Sequence, residues 1–347
     1  MDEPVDPPRI RPVEVLITLG LPDALIATLR EVSSRLRITV HPARKAEDVP
    51  AELWLRAEVL YTDRVLPNPD LAPDLRWIQF HYAGIDFAAE SPWLKNPEII
   101  ATSLSGAAAS QVAEYALGMM LALGHHLPEL AANQARAEWP RDRWDRYLPK
   151  ELRDSTVGII GYGSIGREIA RLLFPCGATV LAVKHEVRQP VDMGYIPEGL
   201  GDPRGEYFHR LYPYQALRSM LKECDFIVVA APLTPQTRGL VGANEFAVMK
   251  PTAYLVDLAR GGIVDQPALI SSLQEHRLAG AALDVFPEEP LPPSNPLWRM
   301  PNVIITPHIS GISPRYNERA MALFAVNLSR YLAGQTLYNR FEPQKGY

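Results

Sequence analysis

The sequence predicts an α/β protein made of two successive series of parallel strands with crossover helices. Three observations carry this. Short apolar, β-branched runs alternate with amphipathic stretches along most of the chain, the pattern of parallel strands joined by helices. That alternation runs through twice, as a coarse duplication with no repeat at short period. A glycine-rich turn follows the first strand of the second series and opens a helix, the hallmark position of a dinucleotide-binding unit.

Residues 1–12 are rich in proline and charge and read as a mobile tail. Five buried strands are expected at Val13–Thr18, Arg37–Val40, Glu58–Tyr61, Trp77–Phe80 and Ile99–Ala101, with a helix at Ala24–Ser34. Ser110–Leu123 has the length and composition of a long helix, and a wet, Trp- and Arg-rich stretch follows from Trp139 to Arg153. The second series places strands at Val157–Ile160, Thr179–Val183, Phe226–Ala230, Ala253–Asp257, Ala279–Leu283 and Val303–Thr306. Six strands are what a complete dinucleotide-binding domain uses. Arg315–Leu332 reads as a last amphipathic helix.

Bulk properties set the frame. A chain of 347 residues is long enough for two domains of roughly 100–200 residues each. Its 47% hydrophobic and 22% charged content is that of a globular protein. A net charge of −5 gives no general attraction to nucleic acid or to anionic membranes. Proline, 33 of 347 residues, is about twice the usual ~5% and fits stiff loops. The two cysteines, Cys176 and Cys224, have no second pair nearby, which argues against a disulfide scaffold and a zinc site. No basic segment and apolar run open the chain, and the longest mostly apolar stretch, Val112–Leu123, contains Glu114 and is too short to span a bilayer. A cytoplasmic protein without a membrane or nucleic-acid partner is expected.

The strongest local signal is Gly161-Tyr162-Gly163-Ser164-Ile165-Gly166. Such a string alone is weak. Here the apolar strand Thr156–Ile160 runs into it and Arg167–Phe174 continues as a helix. In that setting Gly161 permits the tight turn, Gly163 lets the backbone approach a pyrophosphate, and Gly166 lets helix and strand pack closely. The N–H groups and dipole at the helix start favour the phosphates. About 20 positions on, an acidic residue would grip the ribose 2′-hydroxyl of NAD. Lys184 stands there, with His185 and Arg188 close by. Lys184 and Arg188 suit a 2′-phosphate, so NADP is favoured over NAD. The alternative keeps Lys184 as a solvated strand-end charge and gives the ribose to Glu186.

Three later segments carry polar residues at the ends of apolar strands: Tyr254–Asp265 with Arg260, Ala282–Leu291 with Asp284, Glu288 and Glu289, and Asn302–Gly311 with His308. In an open parallel sheet, ligands bind outside the carboxyl ends of the strands. Reducing a keto acid needs a cation for the carboxylate and carbonyl, an acid for the new alkoxide, and a hydride donor. Arg260 suits the first role through its forked guanidinium. His308 suits the second because imidazole titrates near neutral pH. Glu289 can favour imidazolium and fix its tautomer.

These residues bring the sequence to a family. It resembles the D-isomer-specific 2-hydroxyacid dehydrogenases over nearly its whole length, most densely from Gln111 to Gly311. The resemblance rests on Val112-Ala113-Glu114, the glycine fingerprint, the run Ala231–Thr237, Ala259-Arg260-Gly261-Gly262, the run Asp284–Pro290 and Thr306-Pro307-His308. It implies two Rossmann-like domains with parallel sheets and an active site in the interdomain cleft. The substrate-binding, flavodoxin-like domain would comprise residues 1–104 and 311–347, the dinucleotide-binding domain residues 105–310. It implies a catalytic trio of Arg260, Glu289 and His308, the first and last also binding substrate. The turn Tyr82-Ala83-Gly84 would bind the substrate carboxylate through backbone N–H groups. Asp284 would meet the nicotinamide carboxamide, and Pro232 and Ala259 would join the fingerprint residues and Lys184 around the cofactor. The partner is then a small 2-keto or 2-hydroxy acid, with glyoxylate or hydroxypyruvate reductase as the type of activity, and the assembly a homodimer.

The segment Gln189–Tyr214, rich in Gly, Pro and Tyr, is longer than the resemblance requires. It covers the adenosine end, joins an interface, or is a plain surface loop. His125 and His126 close the long helix, where cations complement its dipole; with no third ligand nearby, no metal is expected. His81 either reaches the substrate pocket or is simply packed. In the cluster Trp139–Tyr147, Asp142 and Asp145 dilute the basic charge a nucleic acid would need, and the resemblance implies that this region projects toward a partner subunit as dimer surface. The rival function is a dinucleotide-sensing binding protein of corepressor type, which has no need of all three catalytic residues.

Overall fold

The computed structural model describes residues 11–347, so most of the proline-rich segment 1–12 lies outside the described residues. The chain divides into two compact units, one reaching to Ala107 and resumed at Pro314–Tyr347, the other Ala108–Ser313. Each is an α/β arrangement of the Rossmann type in which all strand pairs are parallel.

The first unit holds β1 (Val13–Ile17), β2 (Leu36–Val40), β3 (Val59–Thr62), β4 (Trp77–Phe80) and β5 (Ile100–Thr102), in the order β2-β1-β3-β4-β5. On one face Leu16, Leu60, Ile78 and Phe80 pack with Trp54 and Trp93. Each of these two indoles donates its N–H to a backbone carbonyl, of Ala46 at 3.1 Å and Pro67 at 2.7 Å, the partner a buried indole needs. On the other face the returning helix Tyr316–Leu332 lays Phe324 against Tyr61 and Trp77. Its buried Asn327 donates to the Gln79 side chain.

The second unit holds β6 (Thr156–Ile160), β7 (Thr179–Val183), β8 (Arg210–Tyr212), β9 (Phe226–Val229), β10 (Tyr254–Asp257), β11 (Gly280–Leu283) and β12 (Val303–Ile305), in the order β12-β11-β10-β9-β6-β7-β8. Successive residues serve opposite faces. Val157, Ile159, Val228 and Val256 meet the helices Ala109–Gly124 and Ser164–Leu173. Ile160, Ile227, Val229 and Leu255 meet Phe246 and the helix Gln266–Gln274. Burial on both faces explains why these strands read as unbroken apolar runs.

Six strands were expected and seven are present. The extra one, β8, lies inside the long segment after β7 and pairs with β7 as the sheet's edge. Strand order reverses between β6 and its two neighbours, β9 and β7. At such a switch point the crevice outside the strand ends takes a ligand, and the glycine fingerprint opens there.

Candidate active site

The loops after β6, β9, β10, β11 and β12 gather at the carboxyl edge of the second unit's sheet. After β6, Gly161 has φ +103°, and a Cβ there would stand 2.7 Å from the Ala231 backbone. A Cβ on Gly166 would meet the Gly161 carbonyl oxygen at 2.2 Å. Fold geometry therefore demands both glycines.

Gly163 differs. It is exposed, its φ of −90° suits any residue, and an added Cβ would meet nothing within 4 Å. Nothing in the chain requires glycine there, so what it preserves is open space at the start of the helix Ser164–Leu173. Among the described residues no side chain caps that helix, so its first turn offers N–H groups to an anion. This cradle fits a dinucleotide pyrophosphate. Ser164 and Ile165 lie half-buried in the same first turn. Tyr162 is fully buried with its hydroxyl donated to Asp202 at 2.7 Å, so only its backbone can face a cofactor.

The strand-end cations are placed differently from one another. The Lys184 ammonium donates to the Gln189 carbonyl at 2.8 Å, and burial followed by the nearby Arg167 charge holds its pKa below the ordinary lysine value. Glu186 turns back to accept the Arg188 N–H at 2.9 Å. The side chains of His185 and Arg188 are exposed and bond to nothing among the described residues. After β9, Pro232 accepts from the Thr237 hydroxyl at 2.6 Å, within a buried Thr234–Thr237 turn.

After β10 comes Arg260, half-buried, with one guanidinium N–H on the Ala259 carbonyl at 2.9 Å. Its loop is locked to the next. A Cβ on Gly261 would fall 2.0 Å from the Phe286 carbonyl oxygen, so the two backbones touch, and only glycine permits it. Beneath the turn, Asp257 is buried and accepts the Ala259 N–H at 3.3 Å. Burial, with the Asp284 charge adding to it, pushes its carboxyl up to about 7.

Asp284, at the end of β11, is 0% exposed. One oxygen accepts the Thr306 hydroxyl at 2.6 Å and the Ile309 N–H at 2.9 Å, the other the Ser310 N–H at 2.9 Å. Because Thr306 gives its single hydroxyl hydrogen to Asp284, the Tyr115 hydroxyl is the donor in their mutual bond. Asp284 thus holds the loop that carries His308, a residue at φ +55°, a conformation non-glycine residues adopt only where surrounding contacts fix it.

His308 Nδ1 lies 2.8 Å from Glu289 Oε2, while Glu289 Oε1 accepts the Phe286 N–H at 2.9 Å. A carboxylate can only accept, so Nδ1 carries the hydrogen and Nε2 is left to exchange a proton with a substrate. The pair is partly open to solvent, at 43% and 37% of side-chain area. Glu288 has no part in it; neighbouring sequence could not have separated the two glutamates.

In the first unit, Tyr82, Ala83 and Gly84 follow β4 with Tyr82 and Ala83 exposed. Their backbone N–H groups donate to no acceptor among the described residues. His81, just before them, is packed: its Nδ1 shares a hydrogen bond with the Tyr61 hydroxyl at 2.5 Å, and its carbonyl accepts the Tyr316 hydroxyl at 2.6 Å. Burial lowers its pKa to about 4, so it braces the turn as a neutral ring. Among the described residues no cluster of His, Cys, Asp and Glu suits a metal ion, and no helix is long and apolar enough to cross a membrane. His126 instead contacts the Leu148 carbonyl at 3.0 Å.

The family model for the D-isomer specific 2-hydroxyacid dehydrogenase NAD binding domain matches residues 117–310. A glyoxylate reductase of Thermofilum pendens is 30% identical over 331 residues, 93% of this chain and 92% of that protein. A D-3-phosphoglycerate dehydrogenase of Methanocaldococcus jannaschii is 33% identical over 241 residues, 70% of this chain but 43% of that longer protein. Among solved structures, a D-isomer specific 2-hydroxyacid dehydrogenase from Xanthobacter autotrophicus Py2, in complex with NADPH and MES, superposes with a TM-score of 0.79. It is 26% identical and covers 97% of this chain and 100% of its own. The chain belongs to the D-isomer-specific 2-hydroxyacid dehydrogenase family and, with its NAD(P)-binding Rossmann domain, is an oxidoreductase of that family.

Proposed function

We propose that the protein reduces a small 2-keto acid to the D-2-hydroxy acid with NADPH. The observation that carries this reading is the His308–Glu289 pair at 2.8 Å, set in the loops beside Arg260. When bound, the nicotinamide supplies the hydride. Arg260 holds the substrate carboxylate and draws charge from the carbonyl. His308 Nε2 gives its proton to the oxygen that becomes hydroxyl, and Glu289 stabilises the imidazolium beforehand. Tyr82, Ala83 and Gly84 offer their unengaged N–H groups to a carboxylate. Pro232, Ala259 and the fingerprint residues line the cofactor, and Asp284 orients the nicotinamide side of the site through the His308 loop it anchors.

Glyoxylate comes first, after the name of the Thermofilum pendens relative, and hydroxypyruvate stands beside it as the other keto acid expected from the sequence. A panel of glyoxylate, hydroxypyruvate and 2-ketobutyrate, each with NADPH and NADH, tests it by loss of reduced-cofactor absorbance. No turnover with any of them, against tight dinucleotide binding, would favour the corepressor-type sensor; the relatives named above are reductases and dehydrogenases and lend that alternative no support.

NADPH is preferred on this reading because Arg188, exposed and without a side-chain partner among the described residues, can meet a 2′-phosphate, with Lys184 supporting the loop behind it. Arg188→Ala is expected to lower kcat/KM for NADPH about tenfold or more and to leave NADH nearly unchanged. A wild type that strongly prefers NADH would sink the assignment and return the ribose to Glu186.

The homodimer rests on exposed large apolar side chains around the helix Leu127–Ala135: Trp139 at 82%, Trp144, Leu148 and Leu127. Such a patch on a soluble protein marks an interface. Sedimentation at micromolar concentration should give twice the chain mass, and a monomer would contradict it. The cytoplasm, where free thiols such as Cys176 and Cys224 persist, is the compartment this reading assigns.

A further inference from the structure

The fingerprint helix Ser164–Leu173 buries two charged side chains that the reaction does not use. Arg167 and Glu168 are each 1% exposed, and so is Asp202, in the long segment after β7. Charges taken from water persist only when paired and hydrogen-bonded, and most of the partners here lie in residues 190–207.

Arg167 donates to the Asp202 carbonyl at 2.5 Å and the Pro190 carbonyl at 2.6 Å, with Asp192 at 3.4 Å from its Nε. Glu168 accepts the Gly201 N–H at 2.6 Å while bound to Arg171. The Asp202 carboxylate accepts the Tyr162 hydroxyl and the N–H groups of Glu206 and Tyr207. Asp192 N–H to the Pro203 carbonyl, at 3.0 Å, ties the segment's two arms together.

These bonds close the loop that begins at the end of β7. Successive carbonyls at its neck are captured by cations from two directions, Gln189 by Lys184 in line with the sheet and Pro190 by Arg167 on the helix. Outside the neck stand His185 and Arg188, their side chains exposed and unbonded among the described residues. In a Rossmann sheet this strand end faces the adenosine ribose. A loop held at its neck keeps its tip in one shape, which lowers the entropy lost on binding.

We propose that residues 189–209 form a cofactor strap, and that Arg167 is a positioning residue that, through Pro190 and Asp192, fixes the His185–Arg188 loop against the adenosine ribose and so sets cofactor preference. The proposal rests on the NADPH reading given above. Arg167 touches no cofactor atom in this role; it acts through the loop. Ordinary fold support would affect both cofactors alike, whereas positioning of this loop affects chiefly the one whose 2′ substituent the loop reads.

Dissociation constants for NADPH and NADH, by fluorescence titration of the full chain, separate the two. Arg167→Lys keeps the charge but loses the fork, and Asp192→Asn removes a charge at the partly exposed rim of the cluster. In both, the Kd of the preferred cofactor should rise about tenfold and the other less than twofold. At saturating NADPH, kcat should stay within twofold while KM rises. In Arg188→Ala, adding Arg167→Lys should cost little more, because positioning has lost its object. Melting curves accompany each variant. A lowered melting temperature with both Kd values unmoved, or raised equally, overturns the strap. A wild type that binds NADH more tightly overturns the NADPH reading alone, and the strap then requires the NADH constant to move most.

Discussion

His308→Gln is expected to remove most turnover in both directions, a fall on the order of 10³, while dinucleotide binding survives. A positioned acid–base group contributes typically 10²–10⁴, and glutamine cannot exchange a proton at the Nε2 position. The structure adds a reason for the fold to persist. The loop from Thr306 to Ser310 is held by Asp284 through one hydroxyl and two backbone N–H bonds, none of which uses the His308 side chain. Glu289→Gln gives the finer test. It keeps size and the Phe286 N–H bond but withdraws the negative charge that favours imidazolium. Reduction needs protonated His308, so its kcat/KM falls as pH rises; oxidation needs the neutral ring, so its rate rises over the same range. Loss of the charge should move both pH–rate profiles to lower pH. Profiles that superimpose on wild type, with His308 still essential, would mean that Glu289 does not tune the histidine.

Arg260→Lys should cost a factor of about 10² or more in kcat/KM for the keto acid, with cofactor affinity little changed. Lysine keeps the charge, so a role in bulk electrostatics would survive the change. A role in forked recognition of a carboxylate would not. The loop geometry sharpens this expectation: Gly261 presses Arg260's loop onto the Phe286 backbone, and a residue held this way cannot shift to let a shorter, single-headed cation reach. One guanidinium N–H is already used on the Ala259 carbonyl, which orients the rest. Near-normal turnover in the lysine variant would remove Arg260 from the site.

Most of the sheet was legible because strands buried on both faces must be unbroken apolar runs. Trp77–Phe80 and Thr179–Val183 came out with the bounds the sequence suggests. The strand β8 did not. Arg210-Leu211-Tyr212 is a three-residue edge strand followed by proline, and its lone inner face gives no periodic signal. Arg260, Glu289 and His308 stood out because polar groups interrupt apolar strand ends where ligands sit. Lys184 shows the limit of that logic: its place in sequence suits a phosphate, yet its ammonium closes a loop. Arg167 and Glu168 were invisible for another reason. Charges in a helix read as a solvated face, and their burial depends on Pro190, Gly201 and Asp202, far along the chain. The insert that covers them reads from sequence equally as an adenosine cover, an interface segment or a plain surface loop.

In the proposed reaction a hydride reaches the 2-carbon of a keto acid while His308 supplies the proton. Reduction of glyoxylate and hydroxypyruvate with NADPH deuterated at the transferable position of the nicotinamide tests it directly, read by NMR and chiral analysis of the product. The product should be a 2-hydroxy acid with one deuterium on its 2-carbon, of D configuration when made from hydroxypyruvate, and should be nearly absent with His308→Gln. Tight NADPH binding with no labelled hydroxy acid from any 2-keto acid, or undiminished labelling in His308→Gln, would contradict it.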